Sequence, residues 1–168
     1  MRLGEITNLK IHNINCETGN IYIENGKNGK RSAYISDELR KCLEKFINKR
    51  LSSKNIPDYL FINEKGKGKN LSKKYVSTIF RITVNDLGLN DNVTEESYKI
   101  VFHTLRHTFC SWLAIKGVPL YTISQLVGHK TPTMTQRYAK LSQDCKRDAL
   151  KYIDMDIQQE LSVPSRIK

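Results

Sequence analysis

The stretch FHTLRHTFCSWLAIKG, residues 102–117, has the clearest helical pattern in this sequence. Its large apolar residues recur at a spacing that places them on one face of a helix: Leu105, Phe109, Trp112 and Leu113. Gly117 follows the pattern, and glycine often ends a helix because it adopts the left-handed conformation without strain. We therefore predict a helix over His103–Lys116.

The stretch that follows, VPLYTISQLVGHKTPTMTQRY, residues 118–138, predicts two shorter helices. Gly128 ends the first of them, whose inward residues are Leu120, Ile123, Leu126 and Val127. Thr131 is a good N-cap and Pro132 a good first helical residue, so the second helix should run from there to about Tyr138.

The first part of the chain predicts a small antiparallel sheet. Lys10–Ile14 and Asn20–Glu24 alternate apolar with polar residues on either side of a turn, which indicates a β-hairpin. A second turn, NGKNG at residues 25–29, contains two Asn/Gly pairs and leads into a third strand over Arg31–Ile35. Three antiparallel strands are therefore expected.

Further helices are predicted on both sides of the central region: residues 3–9, Ser36 to about Leu51, about Ser72 to Leu87, and about Ser142 to Ile153. A chain of 168 residues can bury the core of one globular domain but is too short for two. The sequence thus predicts a single α+β domain that is mainly helical and contains a small three-stranded antiparallel sheet.

The composition favours a polyanionic partner. Lysine and arginine number 28 against 17 aspartates and glutamates, which gives a formal net charge of +11. A solvated basic face would produce the same composition, so charge alone does not decide between the two. The four cysteines form no CxxC pair, which indicates reduced thiols. No stretch approaches the roughly 18 apolar residues of a membrane span, so we expect a cytoplasmic protein without membrane contact.

Several residues suited to phosphate chemistry are spread along the sequence: Arg2, Lys27, His103, Arg106, His129 and Tyr138. His103 and Arg106 are three residues apart and so share a helix face. Taken alone, Tyr138 would more simply be a tyrosine that packs its ring and leaves its hydroxyl exposed; it is the motifs before it that favour a catalytic role. Zinc binding by His103 and His107 is not predicted, because no glutamate follows His103 as in HExxH and no third ligand is evident.

The order and spacing of these residues match a known pattern. HTLRH at residues 103–107, Val127-Gly128-His129 and a tyrosine nine residues after His129 follow an Arg-x-x-Glu segment and a basic hairpin. In this combination the chain resembles the catalytic domain of the tyrosine recombinases, the phage integrase family. The resemblance covers nearly the whole chain, so residues 1–168 are expected to be one such catalytic domain, without the N-terminal helices and separate DNA-gripping domain usual in the family.

The resemblance implies a reaction and a set of roles. Arg2 and Arg106 would clamp the non-bridging phosphate oxygens, and Tyr138 would attack the phosphorus to give a 3′-phosphotyrosyl bond and a free 5′-hydroxyl. Lys27 would protonate the leaving 5′ oxygen; Lys30 lies in the same turn, and sliding the hairpin alignment would exchange the two. The family needs no metal or nucleotide cofactor.

The remaining roles follow in the same way. His103 would shuttle the tyrosine proton, and His129 would donate a hydrogen bond to the phosphate. His107 and Glu5 would support the site, Glu5 by orienting Arg2 from one helical turn away.

The resemblance also implies partners. Double-stranded DNA would be the substrate, and a homotetramer would assemble on it through the segment Leu141–Ile157, unless this segment folds back on its own domain. The competing function is a truncated, catalytically impaired remnant that binds DNA without cleaving it. A type IB topoisomerase shares the chemistry, but the HxLRH spelling and the small size favour a recombinase.

Overall fold

The computed structural model describes residues 1–24, 26, 29–52, 58–63, 68–131 and 133–142. Its helices are α1 (Leu3–Thr7), α2 (Asp37–Leu51), α3 (Lys73–Asp86), α4 (Phe102–Ile115), α5 (Leu120–Val127) and α6 (Thr133–Gln136). Its strands are β1 (Ile14–Asn15), β2 (Asn20–Ile23) and β3 (Arg31–Tyr34), and short 3₁₀ turns cover Ile11–Asn13, Glu96–Tyr98 and Ala139–Ser142. The predicted α+β class is confirmed. The predicted final helix lies outside the described residues except for Ser142.

The three strands form an antiparallel sheet in the order β1-β2-β3, as predicted. The extent predicted for the first strand was wrong, because Ile11–Asn13 form a 3₁₀ turn and only Ile14 and Asn15 pair with β2. The backbone of this segment bonds elsewhere: the Ile11 N–H donates to the Asp58 carbonyl at 2.9 Å. An apolar alternation describes which face is buried, but it does not specify which segment supplies the backbone partners.

The sheet and α2 enclose the first of two cores. Its buried residues are Leu9, Ile21, Ile23, Ala33, Ile47 and Leu60. The predicted α2 is confirmed at its start, where the Ser36 hydroxyl accepts a hydrogen bond from the Leu39 N–H at 3.4 Å. Acidic residues occupy the first turn and basic residues the last, which complements the helix dipole.

The second core lies between α4, α5 and the segment that follows α6. Its buried residues are Cys110, Ala114, Ile123, Val127 and Tyr138. The predicted α4 is confirmed to within one residue at each end, but the apolar face singled out in the sequence is largely exposed, with Trp112 at 69%. The side of α4 that packs inward carries Arg106 instead. A guanidinium is thereby held beside the second core.

The described residues also bear on the expectations about membrane spans and cysteine pairing. Among them, no helix is both long and apolar enough to cross a membrane. Cys16, Cys42 and Cys110 are unpaired thiols.

Candidate active site

Side chains from four parts of the fold line a cavity of about 520 Å³. Arg2 precedes α1, and the other lining residues come from α4, from the turn after α5 and from α6 with the residues behind it: His103, Arg106, His107, His129, Lys130, Met134, Arg137 and Tyr138. The structure therefore brings together the predicted residues from distant parts of the sequence. Lys27 lies outside the described residues, and Lys30 is exposed just before β3.

The two predicted clamp arginines are both held by the C-terminal end of α5. Arg106 Nη2 donates a hydrogen bond to the Val127 carbonyl at 2.6 Å, and Arg2 Nη2 donates to the Gly128 carbonyl at 3.3 Å. Carbonyls at a helix C-terminus lack intrahelical donors and carry partial negative charge, so they suit guanidinium groups. Arg106 Nη1 is buried and has no hydrogen-bond partner among the described residues. A fixed guanidinium thus retains a free donor beside the cavity.

Glu5 is the carboxylate behind these arginines. It accepts hydrogen bonds from the Arg2 backbone N–H at 2.8 Å and from Arg31 Nη2 at 2.9 Å, and it lies 3.4 Å from Arg2 Nη1. Burial by itself raises the pKa of Glu5, but the Arg2 N–H and the two guanidiniums outweigh it and hold the pKa below its ordinary value. The predicted contact between Glu5 and Arg2 is present, and Glu5 is ionised at neutral pH.

Arg31 is part of this network and was not predicted from the sequence. Its side chain is 15% exposed, pairs with Glu5 and lies against Gly128, where an added Cβ would be 2.4 Å from Arg31 Nε. Two of its guanidinium nitrogens, Nε and Nη1, have no hydrogen-bond partner among the described residues. The sequence did indicate that Arg31 points inward, because Arg31 and the buried Ala33 are two residues apart on β3 and therefore lie on the same face.

His129 projects from the turn after α5, as predicted. Its Nδ1 lies 2.7 Å from the hydroxyl oxygen of Thr135, a buried residue that the sequence analysis did not single out. Burial, followed by the charges of Arg106 and Arg2, lowers the pKa of His129 to about 4. The imidazole is therefore neutral at pH 7, and Thr135 orients one of its two nitrogens.

Tyr138 is 5% exposed, and its hydroxyl is held by α4. The hydroxyl oxygen lies 2.5 Å from His107 Nδ1, and Cys110 is buried in the same core as Tyr138. Burial and then the neighbouring Cys110 raise the pKa of Tyr138 to about 12. The hydroxyl is therefore protonated in this structure, and its imidazole contact is His107.

His103 lies next to this pair, one helical turn before His107. The two imidazole rings meet edge to face with centroids 4.8 Å apart. Partial removal from water and then the neighbouring His107 ring lower the pKa of His103, and burial and then the charge of Arg137 lower the pKa of His107. Both rings are neutral at pH 7.

The chemistry of the cavity follows from its side chains. Four cations line it, Arg2, Arg106, Lys130 and Arg137, and the adjacent carboxylate is Glu5. Over the described ranges, no group of three or more His, Cys, Asp or Glu side chains is arranged to hold a metal ion. The arrangement can bind an oxyanion through fixed guanidiniums and present a tyrosine hydroxyl to it.

Comparison with known proteins identifies the family. The sequence model of the phage integrase family matches residues 1–144 of this chain. Tyrosine recombinase XerA of Pyrococcus furiosus is 29% identical over 151 residues, covering 89% of this chain and 49% of the relative. Tyrosine recombinase XerC of Lactobacillus delbrueckii subsp. bulgaricus is 29% identical over 146 residues, covering 84% and 46%.

Solved structures agree. A crystal structure of XerA recombinase is 28% identical with a TM-score of 0.65, covering 90% of this chain and 52% of that one. The XerH site-specific recombinase, bound to its difH substrate in a pre-cleavage complex, is 26% identical with a TM-score of 0.64, covering 82% and 38%. The chain thus spans about half the length of the curated relatives it matches. Because the family match extends over most of the sequence, the chain belongs to the phage integrase family.

Proposed function

We propose that this chain is the catalytic domain of a site-specific recombinase that cleaves and rejoins double-stranded DNA through Tyr138. The observation that carries the proposal is the buried Arg106 guanidinium, whose Nη1 has no hydrogen-bond partner among the described residues and which lines the same cavity as Tyr138. Membership of the family and the similarity to XerH, which was solved with its substrate bound, support it. A reaction on DNA also fits the cytoplasmic location expected from the sequence.

The proposed cleavage step uses these groups in named roles. The Tyr138 oxygen attacks the scissile phosphorus, a 3′-phosphotyrosyl bond forms, and the 5′ oxygen leaves as a hydroxyl after it receives a proton from Lys27 or Lys30. Arg2 and Arg106 offset the charge on the phosphoryl oxygens, and the reverse attack by a 5′-hydroxyl of another duplex reseals the strand.

Smaller contributions come from the groups around these. His129 donates a hydrogen bond to a non-bridging oxygen, and its contact with Thr135 holds the ring in place. Glu5 positions Arg2 through the contact at 3.4 Å and through the Arg2 backbone N–H. No step in this scheme calls for a metal or nucleotide cofactor.

We also propose that residues 1–168 act as one catalytic domain, and that the segment Leu141–Ile157 joins subunits into a tetramer on DNA. Two observations support the second point. The 3₁₀ turn Ala139–Ser142 begins next to Tyr138 and packs on α4, so the chain continues from the edge of the site. Beyond it, apolar residues recur four apart: Cys145, Ala149, Ile153 and Ile157.

Covalent trapping tests the central proposal. Duplexes that the purified chain selects from a randomised pool are end-labelled, nicked at tiled positions so that cleavage releases a short strand, and incubated with wild type or Tyr138→Phe. We expect a covalent band on a denaturing gel for wild type and none for Tyr138→Phe. Salt-sensitive DNA binding without a covalent band from the wild-type chain would instead support the DNA-binding remnant.

Cross-linking on the same duplexes tests the assembly. The full chain should give tetramers on DNA, and a chain that ends at Leu141 should give monomers or dimers while keeping its thermal unfolding midpoint. Tetramers from the shortened chain, or monomers from the full one, would contradict the role assigned to the segment.

A further inference from the structure

The hydroxyl of Tyr138 makes a contact that the predicted roles do not use. Its oxygen lies 2.5 Å from His107 Nδ1, whereas the described contact of His103 in this region is with the His107 ring. His107 and Cys110 are three residues apart on α4, so both face the side of the helix that packs against Tyr138. The imidazole in hydrogen-bond contact with the reacting oxygen is therefore that of His107.

The tyrosine has to lose its proton during the attack. With a pKa of about 12, only about one hydroxyl in 10⁵ is ionised at pH 7. The proton must therefore pass to an acceptor as the bond to phosphorus forms, and that acceptor must lie within hydrogen-bond distance of the oxygen.

We propose that His107 Nδ1 is the group that accepts the Tyr138 proton in the cleavage step, which rests on the function proposed above. The Tyr138 O–H bond breaks, its proton moves to Nδ1, and the oxygen forms the new bond to phosphorus. The bond from phosphorus to the 5′ oxygen breaks, and that oxygen takes a proton from Lys27 or Lys30. On resealing, His107 returns its proton to the tyrosine oxygen.

The other nearby groups are less suited to this step. The Cys110 thiol is fully buried, and burial raises its pKa, so it is a neutral thiol rather than a thiolate acceptor. His129 Nδ1 is engaged by Thr135. His103 is exposed and meets His107 through its ring, which makes it a neighbour of the acceptor.

The surroundings of His107 keep it in the form that accepts a proton. The titratable and charged groups around it come from Arg2 before α1, from α4, from the turn after α5 and from the end of the α6 segment: Arg2, His103, Arg106, Cys110, His129, Lys130, Arg137 and Tyr138. The cations Arg137 and Arg106 disfavour an imidazolium, and burial acts in the same direction. The ring is neutral at pH 7, and in the tautomer that carries its proton on Nε2 its Nδ1 accepts from the Tyr138 hydroxyl.

Single-turnover cleavage of the nicked duplexes, measured against pH, tests the proposal. The wild-type rate should fall as pH drops through the depressed pKa of His107. His107→Gln should cleave about 10²- to 10⁴-fold more slowly at pH 7 and should lose this low-pH limb, the fall in rate with decreasing pH. His103→Gln should retain the low-pH limb. His12→Gln, which replaces an exposed histidine outside the cavity, is the matched control and should keep the wild-type rate and profile.

Two further measurements separate proton transfer from folding. Added imidazole should restore cleavage by His107→Gly, because it can occupy the space of the lost ring, and it should not affect Tyr138→Phe. Replacing the leaving 5′ oxygen by sulfur removes the need for a general acid, so it should not rescue His107→Gln. His107→Gln should also keep the wild-type affinity for DNA.

The outcomes are distinguishable. A covalent band from wild type together with an unchanged rate and pH limb in His107→Gln would overturn this proposal and leave the recombinase function standing. Loss of the limb in His103→Gln alone would assign the role to His103. Without DNA, the Tyr138→Phe substitution should shift the NMR titration of the His107 ring; an identical titration in both chains would refute the contact itself. No covalent band from wild type would remove both proposals.

Discussion

Gly128 ends α5 under two separate constraints, and replacing it with alanine tests both. The residue has φ +67 and ψ 54, a left-handed conformation that costs an L side chain about 1–2 kcal/mol. The added methyl would also lie 2.4 Å from Arg31 Nε and 2.7 Å from Arg31 Cδ, far inside normal contact. The Arg31 side chain has to move, although it pairs at 2.9 Å with a Glu5 carboxylate that is only 3% exposed.

The expected loss is the sum of the two effects. Loosening the Arg31 hydrogen bond leaves the buried carboxylate of Glu5 short of a donor, which costs about 1–3 kcal/mol. Together with the backbone strain, Gly128→Ala should lower the free energy of unfolding by about 2–5 kcal/mol, a large part of the roughly 5–15 kcal/mol of a typical domain. Gly68→Ala is the control, because Gly68 has φ +79 and no described atom near its Cβ position, so only strain of about 1–2 kcal/mol is expected.

Urea unfolding followed by circular dichroism measures these differences, with a double-mutant cycle to isolate the clash. In an Arg31→Ala background the methyl meets no guanidinium, so Gly128→Ala should then cost only about 1–2 kcal/mol, as for strain alone. An equal cost in both backgrounds would refute the account in which Arg31 requires glycine at this position. A Gly68→Ala cost as large as that of Gly128→Ala would refute it as well.

Three further predictions concern the cavity. Because the pKa of His129 is about 4 when folded and ordinarily 6.5, the unfolded chain binds the extra proton between these values. The free energy of unfolding should therefore fall by about 1–3 kcal/mol as pH drops from 6.5 to 4, and His129→Gln should flatten that dependence in urea titrations; an unchanged slope would contradict it. Thr135→Val should slow covalent-band formation about tenfold or more with little change in DNA affinity, and a wild-type rate would count against orientation by Thr135. Arg106→Lys should form the covalent band at least about 10²-fold more slowly in the same assay, whereas near-normal cleavage would show that a point charge suffices.

Local signals in the sequence were sufficient for many of the elements. Ser36 and Ser72 cap α2 and α3 through the hydrogen bonds that their side chains form with the first turn. Gly128 ends α5 in the left-handed conformation that the sequence predicts for it. These features depend on neighbours within about four residues, so they can be inferred without knowledge of the fold. The resemblance to tyrosine recombinases added the long-range grouping of Arg2, Arg106 and Tyr138, which composition and periodicity do not contain.

The features that the sequence did not predict are those that depend on tertiary packing. The apolar stripe of α4 predicted a helix correctly, but the stripe is largely exposed and the inward side carries Arg106, because the neighbours of α4 decide which face is buried. The same limit applies to the histidines. Spacing places His103 and His107 on one face, and only the position of Tyr138 against α4 shows that His107 meets its hydroxyl. Residue spacing thus identifies α4 as the helix that carries the proton acceptor, but only packing identifies which of its two histidines contacts the Tyr138 hydroxyl. The chemistry of this site therefore depends on how the segment after α6 folds against α4.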